Sequence, residues 1–183
     1  ADPNQPFAMH LLGVIAHQVG KNDLAVDLIS KALAIKPDFA EAHNNLGNVL
    51  NKLNLLEEAV ASYNKAITIN PDYAEAHNNL GNALKEQGRL EESVISYRKA
   101  IGINAACVEA HNNLGAALGL LGRLEEAAAT YGEAIAIKPD FAEAHYNLGN
   151  AFKDMGRLED AVARHREALA IKPNFADAHN NLG

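Results

Sequence analysis

The chain has 183 residues, 48% of them apolar and 21% charged, with a net charge of -7 and a pI near 5.6. That balance excludes a disordered or coiled-coil chain, disfavours a phosphate-backbone binder, and contains no run of 18 apolar residues that would span a membrane. No signal peptide is visible, and the single cysteine, Cys107, allows no internal disulfide, so a cytoplasmic location is expected with neither nucleic acid nor membrane as partner.

In chain order, the first residues set the phase of everything that follows. Asp2-Pro3-Asn4 stands where Lys36-Pro37-Asp38, Asn70-Pro71-Asp72, Lys138-Pro139-Asp140 and Lys172-Pro173-Asn174 stand later, so residues 1–5 read as the tail of a preceding unit. Five full units follow at residues 6–39, 40–73, 74–107, 108–141 and 142–175, and residues 176–183 open another. The phrase His43-Asn44-Asn45-Leu46-Gly47 returns at 34-residue intervals as residues 77–81, 111–115, 145–149 and 179–183. A fixed period of this length marks a solenoid, in which each unit buries its apolar face against its neighbours. Both ends are expected to be cuts through a longer array.

The second unit shows the local physics. Asp38 followed by Glu41 predicts a capping box, and Pro37 ends the preceding helix. Ala42, Leu46, Val49, Leu50 and Leu53 recur with the helical period and form the buried stripe of a first helix. Asn54 takes the turn position held elsewhere by Gly20, Gly88, Gly122 and Gly156, and a second helix over about residues 57–69 buries Ala59, Val60, Tyr63, Ala66 and Ile67. Gly47, Ala59 and Ala66 mark where the two helices approach closely, because glycine inside a helix otherwise costs about 1 kcal/mol. In the first unit Leu11 replaces the ladder Asn, which makes that end of the groove more apolar. After Ile101 the junction loses its proline at Ala105 and its capping acid at Ala106. Together with Gly102, Gly119 and Gly132, this predicts the easiest local opening between residues 102 and 132.

His43, Leu46, Gly47, Leu50, Ala59, Tyr63, Ala66 and Pro71 together resemble the signature of the tetratricopeptide repeat, and the resemblance runs through the whole chain. It implies an all-α fold, a right-handed superhelical solenoid of stacked antiparallel helix pairs, with ten full helices and a partial one. It also implies non-catalytic protein recognition on a concave face. The departures are His at 43, 77, 111, 145 and 179 in place of the family's usual Trp or Tyr, Met9 in the first unit, and the missing proline at Ala105.

The histidines do not read as metal ligands: one per unit leaves neighbours roughly 10 Å apart, too far to share an ion, and packing is the better account. With no Cys cluster, phosphate loop or nucleophile elbow, no cofactor, metal or catalytic residue is expected. The asparagines are the sharper signal. Asn45, Asn79, Asn113, Asn147 and Asn181 hold one repeat position; Asn44, Asn78 and Asn112 precede them, with Tyr146 in the same column; Asn48, Asn82 and Asn150 lie three residues beyond. With Lys85 and Lys153 they form the expected peptide-binding groove. Each amide offers an acceptor and two donors to an extended peptide backbone, whatever its side chains. Alternatively the amides tie neighbouring helices together, and the two readings can hold at different columns.

The column also resembles the repeat domain of protein O-linked N-acetylglucosamine transferases, which implies a second role as the substrate-recognition arm of a larger glycosyltransferase. Capture of an acidic tail by a basic clamp fits less well, since Glu41, Glu75, Glu109, Glu143 and Asp177 line the same side. Uncapped terminal helices, with the residue 7–12 face and Leu182, point to self-association as a third possibility.

Overall fold

A computed structural model describes residues 5–181. The tail-like residues 1–4 and the contact residue Leu182 lie outside the described residues. These hold eleven helices and no strand: α1 (Gln5–Gln18), α2 (Asn22–Ile35), α3 (Ala40–Lys52), α4 (Leu56–Ile69), α5 (Ala74–Glu86), α6 (Leu90–Ile103), α7 (Val108–Leu120), α8 (Leu124–Ile137), α9 (Ala142–Asp154), α10 (Leu158–Ile171) and α11 (Ala176–Asn180). They fall into two compact units dividing after Arg89.

In the first unit, α1 packs on α2, α2 on α3, α3 on α4 and α4 on α5. The odd-numbered helices α1, α3 and α5 also touch in succession, whereas α2 and α4 make no comparable contact. In this unit the first helices of the repeats therefore form one layer. The second unit repeats the scheme, with α7 touching α9. Its largest core joins Val94, Tyr97, Leu114, Leu118, Tyr131 and Leu148.

In the pairs α1–α2, α3–α4, α7–α8 and α9–α10 a glycine of the first helix lies directly against a side chain of the second. A Cβ added at Gly47 would lie 2.5 Å from the Tyr63 ring, and one at Gly115 would lie 2.6 Å from the Tyr131 ring. The ring lies against bare backbone, which brings the two helices together and explains why glycine is kept inside a helix. The turns behave as expected: Asn54 has φ 60°, and Gly20, Gly88, Gly122 and Gly156 have φ from 73° to 77°.

The capping box is not formed. The residue before α3 is Phe39, no side chain caps that end, and the Phe39 carbonyl instead accepts from the His43 amide. No side-chain cap is found before α5, α7 or α9 either. The loops are closed by the repeated histidine: its Nε2 donates to the carbonyl six residues earlier, from His43 to Pro37 at 2.9 Å, His77 to Pro71 at 3.0 Å, His111 to Ala105 at 3.0 Å, His145 to Pro139 at 2.9 Å and His179 to Pro173 at 2.8 Å. A carbonyl only accepts, so the donating nitrogen is assigned. Ala105 supplies the same carbonyl as a proline does, and Ala106 forfeits no cap that its counterparts possess. Asn104 adds a turn there by accepting from the Ala106 amide at 3.1 Å.

Two glycine substitutions separate packing from propensity. Gly132 lies inside α8 with nothing within 4 Å of an added Cβ. Gly132→Ala should raise unfolding stability by about 0.5–1 kcal/mol, whereas Gly47→Ala, which drives a methyl into Tyr63, should lower it by about 1–3 kcal/mol. Urea unfolding of the two variants measures both signs.

Candidate functional site

In each unit the asparagines sit on the first helices of the repeats. Asn44 is fully buried, at 0% exposure. Its Nδ2 donates to Glu75 Oε1 at 3.0 Å, and its Oδ1 accepts from Asn79 Nδ2 at 3.1 Å. Asn79 Nδ2 also donates to Asn48 Oδ1 at 3.1 Å, and Asn48 Oδ1 accepts a second bond, from the Tyr63 hydroxyl at 2.8 Å. The direction of this relay is set from one end. An ionised Glu75 only accepts, so Asn44 must donate with its nitrogen and accept with its oxygen, and the same logic passes to Asn79 and on to Asn48. The relay leaves two groups uncommitted, Asn79 Oδ1 as an acceptor and Asn48 Nδ2 as a donor.

Both residues line a trough of about 270 Å³ together with His17, Asn51, Lys52, Tyr63, Asn82 and Glu86. Burial, reinforced by Glu86 and Glu75, pushes the Tyr63 hydroxyl well above its ordinary range, so it stays a neutral donor to Asn48. Tyr73 is pushed up to about 12 by burial, with Glu75 and Glu41 adding to it.

The rungs between successive first helices share one register. Asn45 Nδ2 donates to His10 Nε2 at 2.8 Å, Asn79 to Asn44, and Asn147 Nδ2 to Asn112 Oδ1 at 2.9 Å, each to the residue 35 positions earlier. His10, 2% exposed, takes the Asn44 position, and burial lowers its pKa against the opposing pull of Glu41. At these columns the amides tie helices together.

The expected groove is thus divided. Asn48, Asn79 and Asn82 share the trough. Asn44 is corrected to an internal tie, because a side chain with no exposed surface cannot meet a ligand. Asn45 is half-buried with its amide bonded to His10, while Lys85 is half-buried and lies outside the trough lining. Asn78 on α5 and Asn113 on α7 are each half-buried. In the second unit Asn112 and Asn147 bond each other, and Asn150 Oδ1 accepts from Asn181 Nδ2 at 2.9 Å. Lys153 reaches Asn181 Oδ1 at 3.3 Å.

Tyr146 is half-buried, and its ring packs 5.4 Å from His165 and 4.9 Å from Phe175. Of the trough residues, Asn51 and Lys52 share the helix face of Asn44, Asn45 and Asn48, whereas His17 is not found by that reading, although it holds the repeat position of Asn51, Lys85 and Lys153. Glu86 and Lys52 share the next one.

His165 occupies the place of Tyr63 and Tyr131. An added Cβ at Gly149 would lie 2.7 Å from its ring, and the ring is 1% exposed with neither nitrogen hydrogen-bonded. Burial lowers its pKa, with Lys153 adding to the effect. The unfolded chain therefore takes up this proton first as pH falls, so the stability linked to the neutral ring is present above the ordinary value of 6.5 and lost below it. His165→Tyr would restore a hydroxyl able to reach Asn150 as Tyr63 reaches Asn48. It should raise stability at pH 7 by about 1 kcal/mol and remove part of the acid-side loss, as measured by thermal unfolding between pH 7 and pH 5.

The sequence matches the TPR repeat family profile over residues 13–54, 47–88, 81–122, 120–156 and 149–183. Among solved structures it is similar to the MamA protein, at 25% identity over 95% of each chain with a TM-score of 0.82. It is also similar to TTC0263, a thermophilic TPR protein of Thermus thermophilus, at 26% identity over 97% of this chain and 96% of that one, with a TM-score of 0.74. YrrB, described as a TPR protein with an unusual peptide-binding site, shares the fold at 22% identity, covering 98% of this chain and 92% of its own, with a TM-score of 0.79. No curated protein matches the sequence.

Proposed function

Because the chain belongs to the tetratricopeptide-repeat family, a scaffold fold typical of protein–protein interaction, we propose that it holds an extended peptide segment on the layer of first helices, centred on the trough between α1, α3 and α5. The observation that carries this reading is the uncommitted pair, Asn48 Nδ2 as donor and Asn79 Oδ1 as acceptor, on residues joined by a 3.1 Å bond. A peptide backbone presents both a carbonyl and an N–H, so it satisfies the pair irrespective of its side chains. Glu75, Asn44 and Tyr63 fix the polarity of the pair in advance, which reduces the ordering cost on binding. The peptide-binding site ascribed to YrrB, a protein of the same fold, is consistent with this use.

The uncovered face of α1 favours self-association as a second reading. Leu12, Ile15 and Val19 are 54%, 54% and 64% exposed, whereas Val49, the counterpart of Ile15 in α3, is 1% exposed under α2. Light scattering against concentration should show mass rising in the parent protein and held at that of a monomer in Ile15→Glu; a constant monomer mass in both rules this reading out.

Asn48→Asp tests the groove without breaking the tie. The new carboxylate keeps both bonds that Asn48 Oδ1 accepts and replaces only the outward donor. Retention of a fluorescent random decapeptide library should fall about tenfold or more while the unfolding midpoint stays within a few degrees. Undiminished retention would remove the pair as the binding element.

A further inference from the structure

The trough adjoins a smaller cavity of about 30 Å³, lined by Val14, Ile29 and Val49 with Asn45, Asn48 and His17 at its rim. The two share Asn48 and His17, so the smaller one is a side chamber of the larger. Its apolar wall comes from a single change in the repeat pattern. Val14 stands at the position of Asn48, Asn82 and Asn150, and is the one aliphatic branched residue in that column. Ile29 and Val49, at 0% and 1% exposure, form the floor.

The rim amides cannot turn inward to fill the chamber. Asn45 Nδ2 is held on His10, Asn48 Oδ1 is held by Tyr63 and Asn79, and His17 Nδ1 lies 2.8 Å from Asn22 Oδ1. A chamber of this size has room for little more than one or two waters, and the three aliphatic residues of its six, Val14, Ile29 and Val49, offer such waters no partners. It suits a methyl or isopropyl group. In an extended chain, side chains two residues apart point the same way and stand roughly 6.6–7 Å apart. The next side chain on that face therefore enters the trough, where Lys52, His17, Asn51 and Glu86 supply both donors and acceptors.

We infer that the first unit selects an extended segment carrying a small aliphatic residue, alanine or valine, with an uncharged polar residue two positions away, and that Val14 sets the size limit at the aliphatic position. This inference rests on the groove reading above and adds sequence preference to a backbone contact that has none. Leucine and phenylalanine exceed the chamber, and a charged residue would enter it with no acid, lysine or arginine among the lining residues to pair with.

An oriented decapeptide library, with one central position fixed in turn as Ala, Val, Leu, Phe, Ser, Asp or Lys, tests it on the full 183-residue chain. Alanine and valine pools should be retained at least about fivefold over leucine, phenylalanine and the charged pools. Val14→Ala, which enlarges the chamber, should shift the preference toward leucine, and Val14→Phe, which fills it, should erase the preference. Should Val14→Phe not fold, the Val14→Ala shift decides alone. Retention without positional preference, or a preference unmoved by Val14→Ala, overturns the inference and leaves the groove reading standing. No retention of any pool by the parent protein overturns the groove reading and this inference with it.

Discussion

A tyrosine ring laid on a glycine does two jobs in the first unit. The ring of Tyr63 covers the bare backbone of Gly47 and sets how closely α3 and α4 approach. Its hydroxyl then passes beyond the contact to donate to Asn48 at 2.8 Å. The packing that closes the helix pair thereby also orients an amide on the opposite side, so the fold and the site are coupled through one side chain. In the fifth repeat, where His165 takes the ring position, the pair still closes on Gly149 but no hydroxyl reaches Asn150, and the ring nitrogens are left buried without partners. That comparison separates the packing role from the orienting role within a single chain.

The amide relay explains how a ladder of identical side chains can be both structural and available. An asparagine has more hydrogen-bonding capacity than one rung uses. Glu75 directs Asn44, Asn44 directs Asn79, and Asn79 with Tyr63 directs Asn48, so the surplus capacity emerges at defined atoms. The arrangement is local to the first unit. In the second, Glu143 bonds Lys172 at 3.1 Å, and its pKa is lowered by a backbone N–H and by that lysine, so it does not orient Asn112 in the same way. Equal sequence phrases thus yield unequal sites.

Much of the fold was legible in the sequence because it rests on nearest-neighbour packing that repeats. The stripe from Ala42 to Leu53, the small residues at Gly47, Ala59 and Ala66, and the positive-φ turn at Asn54 all follow from period and residue size. Helix starts were less legible. Asp38 and Glu41 have the spacing of a capping box, yet the loop is closed from inside the helix by His43 on the Pro37 carbonyl, and no capping pattern announces that bond. The site was legible as a column of amides and no further. Which amide is a tie and which faces outward depends on bond direction between residues 31 and 35 positions apart. Asn44 and Asn48 look alike in the sequence and differ in exposure, Asn44 fully buried and Asn48 half-buried at the trough.

The relay holds Asn79 Nδ2 as an internal donor and leaves Asn48 Nδ2 uncommitted at the trough. Side-chain amide hydrogen exchange, followed by NMR with asparagine-selective labelling, reads this directly. Exchange should be slowed at Asn44 and Asn79 and near the solvent rate at Asn48, with the Asn79 protection lost in Glu75→Ala. Protection at Asn48 with free exchange at Asn79 would contradict it.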